Sequence, residues 1–447
     1  MMRHLSWWLQ NRKIEHVNDE ISSLLRQLGV TKGARHLRSA SQPAVVAIPP
    51  PVNDGEGPWP LEMLLPGGRL VESPGGACFV VERVFPVHYR HGNDTLADLL
   101  ATDPGQGVRY ALDNRINGHD FRDFLFLDTE TTGLAGAGAL AFMVGVAFFE
   151  PHVSLVAGNT VSGDVLVVRQ YFLRDHGDEP AMLQQLDELI EGKGGLITFN
   201  GRSFDVPLLD NRYLLNRRRG RLPELPHIDL LQPARRLYRA RLGSCALGAL
   251  EHNLLGLQRT QEDVPGWMIP SLYNNYLRTG DARELARVFY HNEIDMLSMV
   301  TLAARIFRHL ATSQCDAALD QISLGRWQAD LGLHAEAEIT LRGAMNDDAP
   351  LEVYYQALQR LAAMYKKERR ADAVIAWQQM ASISDGDVSA HVELAKHYEW
   401  QTSDIPAAIL WTRRALDLID RLPLTPNTRL ARSELTHRLA RLESKKR

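Results

Sequence analysis

The sequence predicts an α/β domain, a mixed sheet flanked by helices, followed by an all-α repeat domain. Three observations carry that expectation. Short apolar runs, FLFLD ending at Asp128, ALAFMVGVAFF ending at Phe149 and then VLVVRQYFL, precede a helix-like stretch PAMLQQLDELIEG and a further run GLITF ending at Phe199. Strand, strand, strand, helix, strand with buried central runs implies a mixed sheet with helices packed against it. From about Ser323 a paired-helix pattern returns about every 35 residues, with Ala337, Ala373 and Ala408 at matching points.

The 447 residues exceed what one compact core holds and suggest two or three domains. A hydrophobic share of 45% and a charged share of 23% are those of an ordinary globular chain. Cys78, Cys245 and Cys315 lie far apart with no metal-ligand spacing, so they read as free thiols of a reducing cytoplasm. No apolar run approaches the roughly 20 residues that span a bilayer. The start, MMRHLSWWLQNRKIEHVNDE, lacks an apolar stretch long enough for a signal peptide. The net charge of -4 does not advertise a nucleic-acid binder, although a local basic track suffices for a nuclease.

In chain order, residues 1–60 are polar and rich in proline around Ala47–Val52, with a start that reads as a short amphipathic helix or a tail. Residues 61–120 carry short-strand chemistry, with Cys78-Phe79-Val80-Val81-Glu82 after a Pro-Gly-Gly turn, and read as a small β-rich lead-in. Residues 121–312 hold the sheet and, from about Pro233, a mostly helical stretch interrupted at Val264–Pro270. Residues 320–447 hold the repeats, whose period and small residues at helix contacts suit tetratricopeptide-like hairpins. A plain helical bundle is the alternative. A concave helical surface without obvious chemistry points to a protein partner there, or to packing against the catalytic domain.

Three motifs carry chemistry. In Phe126-Leu127-Asp128-Thr129-Glu130-Thr131-Thr132-Gly133-Leu134, alternate strand residues share a face, so Asp128 and Glu130 point the same way. Two carboxylates on an apolar strand repel each other and lose hydration, and a divalent cation offsets both penalties. Oxygen ligands favour Mg²⁺ or Mn²⁺ over zinc. A pair of solvated acids at a strand end is the alternative. In the second motif the chain turns at Asn200-Gly201 and starts a helix near Asp205, with Pro207 tolerated in the first turn. Asp205 as a simple N-cap is the alternative. In the third, His291 and Asp295 share a helix face. His291 is then a candidate general base near neutral pH, or half of a surface ion pair.

In this order the motifs resemble those of the DEDD, or DnaQ-like, 3′–5′ exonucleases. Asp128-Thr129-Glu130-Thr131-Thr132-Gly133-Leu134 is similar to that family's first motif, and Asp205 and Asp295 match its second and third aspartates. The segments HIDLLQPARRLYRARLGSCALGALEHNLLG, RTQEDVPGWMIP and HNEID resemble one subgroup, the bacterial YprB-like predicted exonucleases, which often carry tetratricopeptide repeats after the nuclease. The resemblance covers roughly Phe121 to Phe307. It implies a ribonuclease-H-like fold in which Asp128, Glu130, Asp205 and Asp295 hold two Mg²⁺ or Mn²⁺ ions about 4 Å apart, straddling the scissile phosphate. One ion would lower the pKa of the attacking water and the other would stabilise the leaving 3′-oxygen, releasing nucleoside monophosphates. The chain departs from the family at one point. The two branches use a tyrosine four residues before the last aspartate or a histidine five before it, whereas here His291 stands at minus four and Tyr290 at minus five. Helical geometry favours His291, because minus four stays on the face of Asp295.

For the substrate, about ten arginines against about four acids lie between Arg202 and Arg241, densest at Arg217-Arg218-Arg219-Gly220-Arg221. Arginine forks suit phosphate oxygens, and Tyr213 and Tyr238 among them suit stacking on unpaired bases. A solvated charged helix is the alternative. Thr129, Thr131 and Phe204 flank the carboxylates and are candidates for the bed of the terminal nucleotide. Asn200 joins them as a candidate contact, although with Gly201 it reads first as a turn former. Trp267 reads as a buried core residue in preference to a base-stacking one. The expectation is a cytoplasmic, metal-dependent 3′–5′ exonuclease acting on single-stranded DNA or RNA, without membrane association. A catalytically dead scaffold on the same fold and a structure-specific endonuclease are the competing readings.

Overall fold

Phe124, Leu125, Phe126 and Leu127 are each 0% exposed, because a strand covered on both faces needs an unbroken apolar run. They belong to a seven-stranded sheet made of β1 (Arg69–Ser73), β2 (Gly76–Pro86), β3 (Phe124–Thr131), β4 (Ala141–Val156), β5 (Asn159–Phe172), β6 (Gly195–Thr198) and β7 (His227–Asp229). The spatial order is β1-β2-β5-β4-β3-β6-β7. Neighbours from β1 to β3 pair antiparallel, and β6 and β7 add on in parallel. The computed structural model describes residues 57–133, 138–156, 159–260, 263–346, 349–384, 387–423 and 425–446. The proline-rich segment through residue 56, with the helix-or-tail reading of its start, lies outside them. So do Leu134 of the first motif and Gln261-Glu262.

The expected separate β-rich lead-in is instead the margin of the main sheet. β2 runs antiparallel along β5 from Phe79 opposite Phe172 to Pro86 opposite Val165. Phe79, Val80 and Val81 are buried as a result. Without β2, the outer side of β5 would present a row of unpaired backbone groups.

Five longer helices cover the sheet: α1 (Glu179–Ile190), α2 (Asp205–Leu215), α3 (Leu231–Leu242), α4 (Ile269–Thr279) and α5 (Arg283–Thr312). One core joins α1, α2 and α4 to the sheet, with Phe142 stacked on Tyr273 at 4.1 Å between centroids. A second core gathers Phe121, Phe124, Phe126, Tyr238 and Phe307. Leu285, Val288 and Phe289 of α5 belong to the first core, and its residues from Met296 onward belong to the second. His291, Asn292 and Asp295 therefore lie where the two cores meet.

The remaining chain is all-helical: α6 (Ala318–Asp330), α7 (His334–Gly343), α8 (Leu351–Lys367), α9 (Asp372–Ile383), α10 (Ser389–Trp400), α11 (Ile405–Ile419) and α12 (Pro426–Lys446). Ala337, Ala373 and Ala408 are buried where paired helices touch. The first hairpin is not a free-standing unit. Leu324 and Trp327 of α6 are part of the second core, and Arg241 of α3 grips Asp320 at 2.7 Å.

Candidate active site

Alternation puts Asp128 and Glu130 on the side of β3 that carries Phe124 and Phe126. Asp128 stands opposite Gly145 in the ladder, and α5 passes so close that a Cβ on Gly145 would lie 2.0 Å from Asn292 Oδ1. The bare glycine lets Asn292 settle onto the sheet, where its Nδ2 donates to Asp128 Oδ2 at 3.2 Å. Gln170 Nε2 donates to Asn292 Oδ1 at 3.0 Å and to the Phe289 carbonyl at 2.8 Å, which fixes the way the asparagine amide points. Sequence reasoning missed all three residues, because a contact between a glycine, a glutamine and an asparagine on separate elements leaves no spacing signal. Gly145→Ala is expected to push Asn292 off Asp128, cost about 1–3 kcal/mol of stability and lower turnover. Unchanged melting temperature and turnover would show that the close approach is not needed.

The second motif reaches the same place from β6. The chain turns through Asn200, whose φ of 69° is a left-handed conformation that asparagine tolerates. Asp229 at the end of β7 holds the turn, accepting from the backbone N–H groups of Asn200 at 2.8 Å and Arg202 at 3.2 Å. Asp205 then opens α2, 3% exposed. It accepts from the Thr129 backbone N–H at 3.0 Å and from the Thr129 hydroxyl at 2.5 Å. Asp205 thus ties α2 to β3. It is not the N-cap, a position held by Phe204 without a side-chain cap bond.

The third motif approaches from α5. His291 Nε2 lies 3.5 Å from Asp295 Oδ2. Glu130, His291 and Asp295 each offer a ligand atom, all within 4.8 Å of one another. His291 Nδ1 stands 2.6 Å from Asp263 Oδ1. An ionised carboxylate only accepts, so the Asp263 contact calls for a proton on Nδ1. Arg259 lies alongside, donating to Glu251 and Asp295, with its Nη1 3.1 Å from His291 Nδ1. Arg259 and Asp263 fall within the segment RTQEDVPGWMIP, so the sequence carried a signal for them that went unused.

Comparison with known proteins bears on this arrangement. Residues 125–307 match the family model described as RNase_H superfamily. The fold is ribonuclease-H-like: a mixed seven-stranded sheet with flanking helices, followed by an all-helical region. A protein of Bacillus subtilis (strain 168) named "Uncharacterized protein YprB" is 29% identical over 351 residues, 76% of this chain and 80% of its own length. The family match supports nuclease activity. Ribonuclease-H-like nucleases usually use divalent metal ions, and the Glu130, His291 and Asp295 group is one that could hold a cation. Among the described residues, no helix is long and apolar enough to cross a membrane.

The electrostatics of the ribonuclease-H-like domain fit such a cation. Burial lifts the Asp128 carboxyl well above the usual carboxylate range, and Asp205, Asp295 and Glu130 add like charge. Glu130 is raised by burial and then by Asp295 and Asp205. Burial pushes Asp205 up to about 6 against the opposing Thr129 hydrogen bonds. Asp295 is raised by burial, with His291 and Arg259 pulling the other way. Four acids raised by burial, Asp128 and Glu130 also by the neighbouring carboxylates, are a donor set that a divalent ion relieves.

The residues expected to hold substrate scatter. Thr129 is engaged by Asp205, and the Thr131 hydroxyl donates to the Gly133 carbonyl at 2.8 Å. Asn200 is the turn former, and half-buried Phe204 stands at the head of α2. Arg217, Arg218 and Arg219 follow the far end of α2, whose 11 residues put roughly 15 Å between them and Asp205. Arg218 pairs with Asp187 at 3.3 Å and Arg219 with Glu224 at 3.2 Å, while Arg217 is exposed. The arginine cluster is therefore not brought to the carboxylates. Tyr213 and Tyr238, expected to stack on bases, are 0% exposed. Trp267, read as a core residue, is 76% exposed. The buried face of α4 begins two residues later at Ile269, so the tryptophan is left outside. It follows Pro265-Gly266, which line a cleft of about 510 Å³ with Arg259, His291 and Asp295.

Proposed function

We propose that this chain is a metal-dependent 3′–5′ exonuclease that hydrolyses single-stranded nucleic acid. The observation that carries the reading is the convergence of Asp128, Glu130, Asp205 and Asp295, from three separate stretches of sequence, on one half-buried patch. The patch lies at the carboxyl ends of the parallel strands β3 and β6, where open α/β sheets place their ligands. The four carboxylates would hold two ions, Mg²⁺ or Mn²⁺. Once bound, the ions would supply Lewis acidity toward the scissile phosphate and the attacking water. His291, its Nδ1 proton held by Asp263, presents Nε2 as the base that takes a proton from that water. Thr129 and Asn292 orient Asp205 and Asp128. The cleft beside His291 and Asp295 is the path for the strand. The C-terminal hairpins, read as tetratricopeptide-like repeats, would dock a protein partner.

The test uses single-stranded DNA and RNA of defined 3′ end, incubated with the protein in Mg²⁺ and then Mn²⁺. Mononucleotides are the expected product. Longer fragments would point to an endonuclease, and intact strands in both metals would replace the reading with that of a scaffold. His291→Ala is expected to slow release by about 10²–10⁴-fold, the usual worth of a general base, and Tyr290→Phe to leave it nearly unchanged. A larger loss in Tyr290→Phe would reverse the assignment of the base.

A further inference from the structure

A guanidinium sits among the acids. The Arg259 side chain is 15% exposed. Its Nε and Nη2 meet the two oxygens of buried Glu251 at 2.7 and 2.6 Å. Nη2 also donates to Asp295 Oδ1, and Nη1 lies 3.1 Å from His291 Nδ1 and 3.5 Å from Asp263 Oδ1. Most of the five N–H donors of the fork are thus engaged by protein groups. One oxygen of Asp295 is committed to Arg259, and the other lies 3.5 Å from His291. Asp128, by contrast, accepts from the uncharged amide of Asn292.

We propose that Arg259 is a resident cation that a metal ion must displace from Asp295, and that Glu251 is the anchor that keeps the displaced guanidinium beside the site. The inference rests on the proposed metal-dependent reading and concerns how the metal gains its place. A guanidinium and a divalent ion compete for the lone pairs of the same carboxylate, and their charges repel at that distance. The grip of Glu251 uses Nε as well as Nη2, so it outlasts the loss of the contact to Asp295. Removing either partner therefore shifts metal binding in opposite directions. Arg259→Met abolishes the competitor and is expected to tighten Mn²⁺ binding by about tenfold, the worth of one hydrogen bond to a charged group. Glu251→Gln loosens the anchor, leaves the guanidinium leaning on Asp295, and is expected to weaken Mn²⁺ binding by a similar factor. Coulomb forces alone, from deleting a positive and a negative charge beside the same dication, would also move these two variants in opposite directions, so Arg259→Lys, which keeps the charge and loses the fork, is the deciding variant.

The experiment is a calorimetric titration of Mn²⁺ into the full chain and the three variants, without nucleic acid, with melting curves in chelator to confirm folding. Opposite shifts in Arg259→Met and Glu251→Gln together with tighter binding in Arg259→Lys bear the proposal out. Shifts of one sign, or none, with binding intact in the wild type would overturn it and leave the nuclease reading standing. Absence of Mn²⁺ uptake by the wild type would overturn the metal reading and this proposal with it. If Arg259→Met does not fold, Arg259→Lys and Glu251→Gln carry the test. The lysine keeps the charge without the fork, so binding tighter than wild type is expected, and equal or weaker binding would overturn the proposal.

Discussion

Asp128→Asn is expected to cut metal-dependent hydrolysis by at least about 10²–10³-fold while raising the melting temperature of the metal-free protein. The two effects have one cause. Asp128 is half-buried beside Asp205, Asp295 and Glu130, and burial and then these neighbours raise its carboxyl and disfavour its charge. Asparagine keeps the shape and can still accept from Asn292 Nδ2 through its own carbonyl oxygen. What disappears is the desolvated charge, a change of roughly 1–3 kcal/mol in favour of the fold. Turnover on a labelled strand and melting in chelator measure the two halves. A variant that lost activity and also melted lower would mean that the Asp128 carboxylate is kept for structure.

The same crowding sets an unusual pH dependence. In the metal-free protein Asp205 is pushed up to about 6, and Asp128, Glu130 and Asp295 are all raised, with burial the leading cause in each. A carboxyl whose folded pKa exceeds its unfolded value holds more protons in the folded state. Its contribution is therefore complete below the ordinary value near 4 and is lost as the pH rises through the raised value. In chelator the melting temperature should fall from about pH 4 through pH 6 and beyond. Acids of the opposite kind act below that window. Glu338, held down to about 2 by its hydrogen bond from Arg370, loses its contribution only as the pH drops below about 4.5. Mn²⁺ at a hundredfold excess over its dissociation constant should add about 2.7 kcal/mol and flatten the decline near neutrality. A chelated protein that melts at the same temperature, or higher, at pH 7 than at pH 4.5 would show that the acids are not crowded.

The strands were legible because β3 to β6 are central, and burial on both faces demands the apolar runs that announce them. The strands β1 and β2 at one side of the sheet were harder to place. Their composition announced strands, but which sheet they join depends on pairing with β5, far along the chain. Asp128 and Glu130 were readable from strand alternation, and Asp205 and Asp295 from their motifs. Arg259, Glu251, Asn292 and Gly145 act through packing between elements, which no local spacing records. The arginines misled because composition reports charge but not location. At the end of α2 they meet Asp187, Glu191 and Glu224 before they meet any phosphate. Trp267 misled for a related reason, since a large aromatic side chain is usually buried by what surrounds it, and here the helix turns its apolar face elsewhere.

Helix α5 has 30 residues, so it is a stiff rod of roughly 45 Å. Its first half holds His291 and Asp295 at the carboxylates, and its second half lodges Phe307 and Leu310 in the core shared with Trp327 of the first hairpin. Tyr110 clamps that junction, its ring 4.9 Å from that of Trp327 and its hydroxyl accepting from Gln328 at 2.9 Å. The first hairpin and the candidate carboxylates are thus fastened to one beam.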